Sequence, residues 1–237
     1  MLVPGWMFEA PHSLPARRRE RLFLARIAAR LVNRIDVTGV LPAGAGTLYV
    51  SNHISWMDIP ILGSALETEF VAKSDVKGWP LIGPLSRRSG TLFVAREERH
   101  RVHNQAREIA DRLGNGRSLT LFAEGTTSDG ITILPFRSSL FEAARQARQI
   151  QPIAIGYHGG DGVALSDDQL AAIGWTGDEE LLPNLGRVSR LNLAAEVRLA
   201  PAFTPGKDMP RKQLAERCEI AVRENYAAIR AAAKRSE

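Results

Sequence analysis

At 237 residues, 44% of them hydrophobic and 24% charged, the chain is long and apolar enough to bury a core, which excludes an intrinsically disordered protein. Its single cysteine, Cys218, excludes an intramolecular disulfide and fits a reducing compartment. Of the net charge of +5, +4 gathers at one end: residues 1–36 hold Arg17, Arg18, Arg19, Arg21, Arg26, Arg30 and Arg34 against Glu9, Glu20 and Asp36, a block that suits acidic lipid headgroups or nucleic acid.

Pro4, Pro11 and Pro15 predict no regular structure over residues 1–16. Residues 17–35 read as an amphipathic helix, with Leu24, Ile27, Ala28, Leu31 and Ile35 on one face and Arg26, Arg30 and Arg34 on another. A strand is expected at 47–51, a helix at 56–66 and a short strand at 70–72. Gly78-Trp79-Pro80 and Gly83-Pro84 mark turns before a strand at 91–95. A charged helix over 99–113 ends near Gly114, and a strand follows at 118–123. The pattern then gives a helix at 140–148 and a strand at 152–157. Residues 159–186 are rich in Gly and Asp and carry no clear period, and 191–199 alternates loosely as an edge strand. A closing helix over 211–230 turns Leu214, Cys218, Ala221, Val222, Tyr226 and Ile229 to one side.

Apolar strands separated by helices predict an α/β fold: one domain, a largely parallel sheet flanked by helices, with an N-terminal amphipathic helix. The chain divides into a basic segment at 1–36 and the domain proper at 37–237. No stretch reaches the roughly 20 apolar residues of a transmembrane helix, since Arg26 and Arg30 interrupt residues 22–32. Nothing reads as a signal peptide, so the sequence predicts a chain that neither spans a membrane nor is exported.

Asn52-His53-Ile54-Ser55-Trp56-Met57-Asp58 sets an imidazole and a carboxylate five positions apart, just past a strand. On a continuous helix that spacing is a rotation of roughly 140°, which keeps the two apart. They meet only if His53 lies at the strand end or helix start. Asp58 can then hold one ring nitrogen and leave the other as a general base for a hydroxyl. Taken alone, the spacing reads as a capping histidine beside an unrelated surface aspartate.

Three further blocks follow in order: Gly90-Thr91-Leu92-Phe93-Val94-Ala95-Arg96, Phe122-Ala123-Glu124-Gly125-Thr126-Thr127-Ser128, and Gln151-Pro152-Ile153-Ala154-Ile155. With Phe70-Val71-Ala72-Lys73 and Pro80-Leu81-Ile82-Gly83 between them, this order resembles the glycerolipid acyltransferase family over about residues 47–157. The resemblance implies that His53 takes the proton of a lysolipid hydroxyl and Asp58 orients it. The hydroxyl then attacks the thioester of acyl-CoA or acyl-carrier protein, a co-substrate, with no acyl-enzyme and no other cofactor. It also implies an acceptor site made of Arg96, Glu124, Gly125, Thr126 and Thr127. A guanidinium such as that of Arg96 suits phosphate because its fork makes two parallel hydrogen bonds. The block Pro152-Ile153 reads as pocket wall.

The chain departs from the family's F-P-E-G-T-R at Ala123 and Thr127. This variation, with Ser128-Asp129-Gly130 and Leu134-Pro135-Phe136-Arg137-Ser138, resembles a bacterial branch that includes lyso-ornithine lipid acyltransferases; Arg137 is a candidate for the missing charge. The expected acceptor is 1-acyl-sn-glycerol-3-phosphate, giving phosphatidic acid in phospholipid biosynthesis. The alternatives are lyso-ornithine lipid and, in another class, a non-catalytic lipid-binding protein. The expected place is the cytoplasmic face of the cell membrane, as a peripheral protein. There the basic helix either lies in the headgroup layer, with Trp6, Met7 and Phe8 as an insertion point, or packs on the domain. No metal is expected, because His12, His100, His103 and His158 lack partners at ligand spacing. No nucleic acid is expected either, for want of an aromatic-basic motif. The whole reading requires His53 and Asp58 to meet beside the Glu124 turn.

Overall fold

The computed structural model describes residues 14–73, 86, 91–94, 99–175, 181–206 and 208–233. Arg96 and the expected turns at 78–80 and 83–84 lie outside the described residues. Seven strands are formed: β1 Ile35–Thr38, β2 Thr47–Ser51, β3 Glu69–Lys73, β4 Leu92–Val94, β5 Leu119–Phe122, β6 Gln149–Gly159 and β7 Leu193–Leu199. They make one sheet in the order β1-β7-β6-β2-β5-β3-β4. Every pairing is parallel except β6 with β7. β1 and β7 therefore run against the other five. β2 and β5 are buried at every position, which is why they read as continuous apolar runs rather than alternating ones.

The helices are α1 Leu14–Leu31, α2 Asp58–Ala65, α3 Arg99–Gly114, α4 Asp167–Ile173, α5 Leu181–Val188 and α6 Arg211–Ala232. They cover both faces of the sheet. Gly156 of β6 lets α6 come close: a Cβ there would stand 2.8 Å from Ile229 Cγ2. Its neighbour Tyr157 points the opposite way and reaches the first residue of α2. α1 packs on α2, and Gly63 admits Leu24 at the crossing, where a Cβ would meet Leu24 Cδ1 at 2.5 Å. Arg21 donates through Nε to the Ser64 carbonyl at 2.8 Å, so a cation closes the C-terminal end of α2.

The sheet and its flanking helices match the expected α/β architecture. Four local readings change. α1 opens at Leu14, inside the stretch expected to lack regular structure, because Pro15 is tolerated in the first turn of a helix. The first helix ends at Leu31, because Asn33 leaves it to donate its amide to the Leu193 carbonyl, and Ile35 opens β1 instead. That added strand covers β7, so β7 is internal, between β1 and β6, and not an edge. Residues 138–148 form two 3₁₀ turns, Ser138–Phe141 and Ala144–Gln146, not one helix. Arg148, expected in that helix, gives its amide to the Gly46 carbonyl and leads into β6. In the region without a clear period, α4 starts on a capping box: Ser166 Oγ accepts the Gln169 amide, and Gln169 Oε1 accepts the Ser166 amide.

Candidate active site

β2 delivers Asn52 and His53 past its last ladder residue, and α2 begins five positions after His53. Asp58 is the first residue of α2, where a negative side chain suits the helix N-terminus. Pro60 follows in the first turn, where no amide is needed. The chain thus folds back so that His53 Nδ1 lies 2.8 Å from Asp58 Oδ2. The same oxygen accepts the amides of Ile54 at 2.7 Å and Ser55 at 3.0 Å. Asp58 is fully buried, whereas the His53 side chain keeps 16% of its surface exposed. The His53 ring stacks on Phe122, with centroids 3.8 Å apart and planes 14° apart, and Phe70 continues the aromatic wall. With Nδ1 turned to the acid, Nε2 is the ring nitrogen left for chemistry.

Glu124 follows β5, directly beside His53. Its Oε1 accepts the His53 amide at 2.7 Å and its Oε2 accepts the Leu134 amide at 2.8 Å. The side chain is 1% exposed, so both oxygens are spent on backbone. Burial lifts its pKa to about 7 against the pull of those two amides; nearby Asp58 lifts it further and Arg223 lowers it. Gly125 takes φ +74°, a left-handed conformation that glycine adopts without strain, and turns the chain. Among the described residues the amides of Thr126 and Thr127 meet no acceptor, which leaves two backbone donors at this turn. Thr127 Oγ1 donates to the Trp175 carbonyl. Ser128 closes the loop by giving its amide to the His53 carbonyl at 2.8 Å.

The structure thus brings His53, Asp58, Glu124, Gly125, Thr126 and Thr127 together; Arg96 lies outside the described residues. Arg137 is exposed, and its amide donates to the Ala123 carbonyl. Three supports were not singled out in the sequence. Asn52 extends the ladder sideways: its Nδ2 donates to the Ile155 carbonyl and its Oδ1 accepts the Ile155 amide, both at 2.9 Å. Tyr157 donates its hydroxyl to Asp58 Oδ1 at 2.5 Å. Trp56 Nε1 donates to Asn184 Oδ1 at 2.8 Å, and the Trp175 amide donates to the Ile54 carbonyl at 3.1 Å, so the segment around α5 clasps the His53 loop. Tyr157 was within sight as an aromatic residue two positions past Ile155 on an apolar strand; the others carried no local signal.

Comparison with known proteins agrees with this geometry. Residues 34–156 match the acyltransferase family. A lyso-ornithine lipid O-acyltransferase of Brucella abortus is 40% identical over 87% of this chain and 81% of its own. A 1-acyl-sn-glycerol-3-phosphate acyltransferase of Neisseria gonorrhoeae is 31% identical over 54% of this chain and 51% of its own. In fold, the chain is similar to the crystal structure of a 1-acyl-sn-glycerophosphate acyltransferase of Thermotoga maritima, with a TM-score of 0.68, 22% identity and coverage of 98% of this chain and 87% of that one. The chain belongs to the acyltransferase family.

Proposed function

We propose that this acyltransferase moves a fatty acyl group from a thioester to the free hydroxyl of a lysolipid, with lyso-ornithine lipid as acceptor. The observation that carries the reaction is the His53 Nδ1 to Asp58 Oδ2 contact of 2.8 Å beside the Glu124 turn. His53 Nε2 takes the hydroxyl proton as the acceptor oxygen bonds to the thioester carbonyl carbon. The tetrahedral intermediate collapses, the carbon–sulfur bond breaks, and His53 returns the proton to the leaving thiolate of CoA or acyl-carrier protein. Asp58 steadies the imidazolium between those steps. Glu124 acts as a clamp on the His53 loop, its oxygens being taken, while Gly125, Thr126 and Thr127 line the acceptor side.

The choice of acceptor rests on two observations. The Brucella relative, matched over most of both chains, is named for lyso-ornithine lipid. Thr127 stands where the family pattern has an arginine, and its hydroxyl is tied to the Trp175 carbonyl. A second reading, 1-acyl-sn-glycerol-3-phosphate, is favoured by the Neisseria relative. Residues 1–36 and the exposed arginines of α1 support attachment as a peripheral protein to the cytoplasmic membrane face, the site belonging to residues 37–237. No helix among the described residues is long and apolar enough to cross a membrane.

The test is to incubate the purified protein with acyl-CoA or acyl-carrier protein and each lysolipid separately, then identify the diacyl product by mass spectrometry. Diacyl ornithine lipid is expected, with a loss of about 10²–10⁴-fold in kcat for His53→Ala. Phosphatidic acid as the main product would favour the second reading. Undiminished transfer by His53→Ala would refute the base.

A further inference from the structure

Asp58 has no contact with solvent, and its Oδ2 is fully occupied by His53, Ile54 and Ser55. Its other oxygen would be a buried, charged acceptor without a donor, one of the costlier defects an interior can hold. Among the described residues, one donor meets it: the hydroxyl of Tyr157, at 2.5 Å and 99 residues away in sequence. Tyr157 is itself only 3% exposed. Burial first, then the nearby Asp58 charge, push its phenol well above the ordinary range, so it stays a donor.

The strand that carries Tyr157 is built to hold it there. β2 ends at Ser51, paired with Ile153, but β6 runs on to Gly159. The two hydrogen bonds from Asn52 to Ile155 keep β6 beside the His53 loop where the ladder has stopped. On its far side β6 stays paired with β7 through Tyr157 and Ala195. Tyr157 therefore projects from a strand fixed on both flanks, not from a loop.

We propose that Tyr157 is a positioning residue for acyl transfer: by donating to the Asp58 oxygen that His53 does not use, it fixes the rotamer of the acid that orients the base. This rests on the reading of His53 as the base. A tyrosine that merely satisfied its own hydroxyl would need any acceptor in reach; this one meets a carboxylate whose other oxygen already takes three donors, and completes its set.

The test compares the full chain with Tyr157→Phe, first by thermal melt to establish that both are folded. Two readouts follow: kcat and KM for acceptor and donor, and the downfield proton resonance of His53 Nδ1–H. The expectation is a fall in kcat of about 10- to 100-fold, the worth of a hydrogen bond to a charged group, with KM unchanged and the resonance displaced or lost. Site-specific 3,5-difluorotyrosine at position 157 keeps the ring and strengthens the donor, and serves alone if the Phe variant does not fold; the resonance must move with it too. A folded variant with unchanged kcat overturns the proposal, and so does a kcat loss with an unmoved resonance. Retained activity in His53→Ala would instead remove the base itself, a failure distinguishable from either.

Discussion

Glu124 holds the His53 amide with one carboxylate oxygen and the Leu134 amide with the other, inside a site where it is 1% exposed. Its pKa is raised from the usual carboxylate range to about 7, chiefly by burial. Between those values the folded chain keeps a proton that the unfolded chain has released. This group's contribution therefore favours the fold at low pH, fades as pH rises through that interval, and is constant above about 7. Glu124→Gln cannot titrate, so thermal melts from pH 5 to 8 should show the wild-type melting temperature declining relative to that variant as pH rises. Parallel curves would mean that Glu124 does not titrate there. The His53–Asp58 pair was legible because both members fall in one block, between a strand signal and a helix signal. Glu124 as a clamp and Tyr157 as a donor were not. Their partners lie 71 and 99 residues away, and spacing along the chain says nothing about which strand becomes a neighbour in the sheet.

At the level of elements, Asn52 splices β2 to β6 beyond their ladder through its two bonds to Ile155. Asn52→Ala would leave a buried amide and a buried carbonyl without partners, at about 1–3 kcal/mol each. The expected result is a melting temperature lower by about 4–24 °C for a chain of this size, followed by circular dichroism. A shift under about 2 °C would mean that water replaces the side chain. The buried strands were legible since β2 and β5 are apolar on both faces. The segment at 138–148 was not. Its apolar residues recur at helical spacing, yet the chain makes two tight turns and the Arg148 amide goes to the Gly46 carbonyl instead of a helical partner. Ile35 misled in the other direction: an apolar residue at the right interval extended the helix on paper, while Asn33 had already bonded to the Leu193 carbonyl.

Across the whole molecule, α1 links the basic block to the site. Two residues past its end, Asn33 gives its amide to Leu193, the β7 residue paired with Gly159, so the chain leaves α1 at the end of the sheet where β6 finishes and β2 gives way to His53. Its inner side packs on α2, while Arg18, Arg26 and Arg30 stay exposed around Leu22, itself 54% exposed. Packing on the domain and facing a lipid surface are therefore compatible. Each cation near an anionic surface adds about 1 kcal/mol, or roughly fivefold in affinity. Replacing Arg18, Arg26 and Arg30 together by Ala should weaken co-sedimentation with phosphatidylglycerol vesicles by about 100-fold, and added salt should mimic the change. Equal binding by the variant would remove α1 from the membrane face.

β6, at 11 residues, pairs with β2 over its first half, Gln149 to Ile153, and with β7 over its second, Ile153 to Gly159. Each half of the strand is tied to a different neighbour, so freeing it requires both ladders to open, and its amides are expected to exchange slowly. The strand that anchors the core is thus the one that braces Asp58, and warming the enzyme should extinguish turnover and cooperative structure in a single event, with no folded but idle species between.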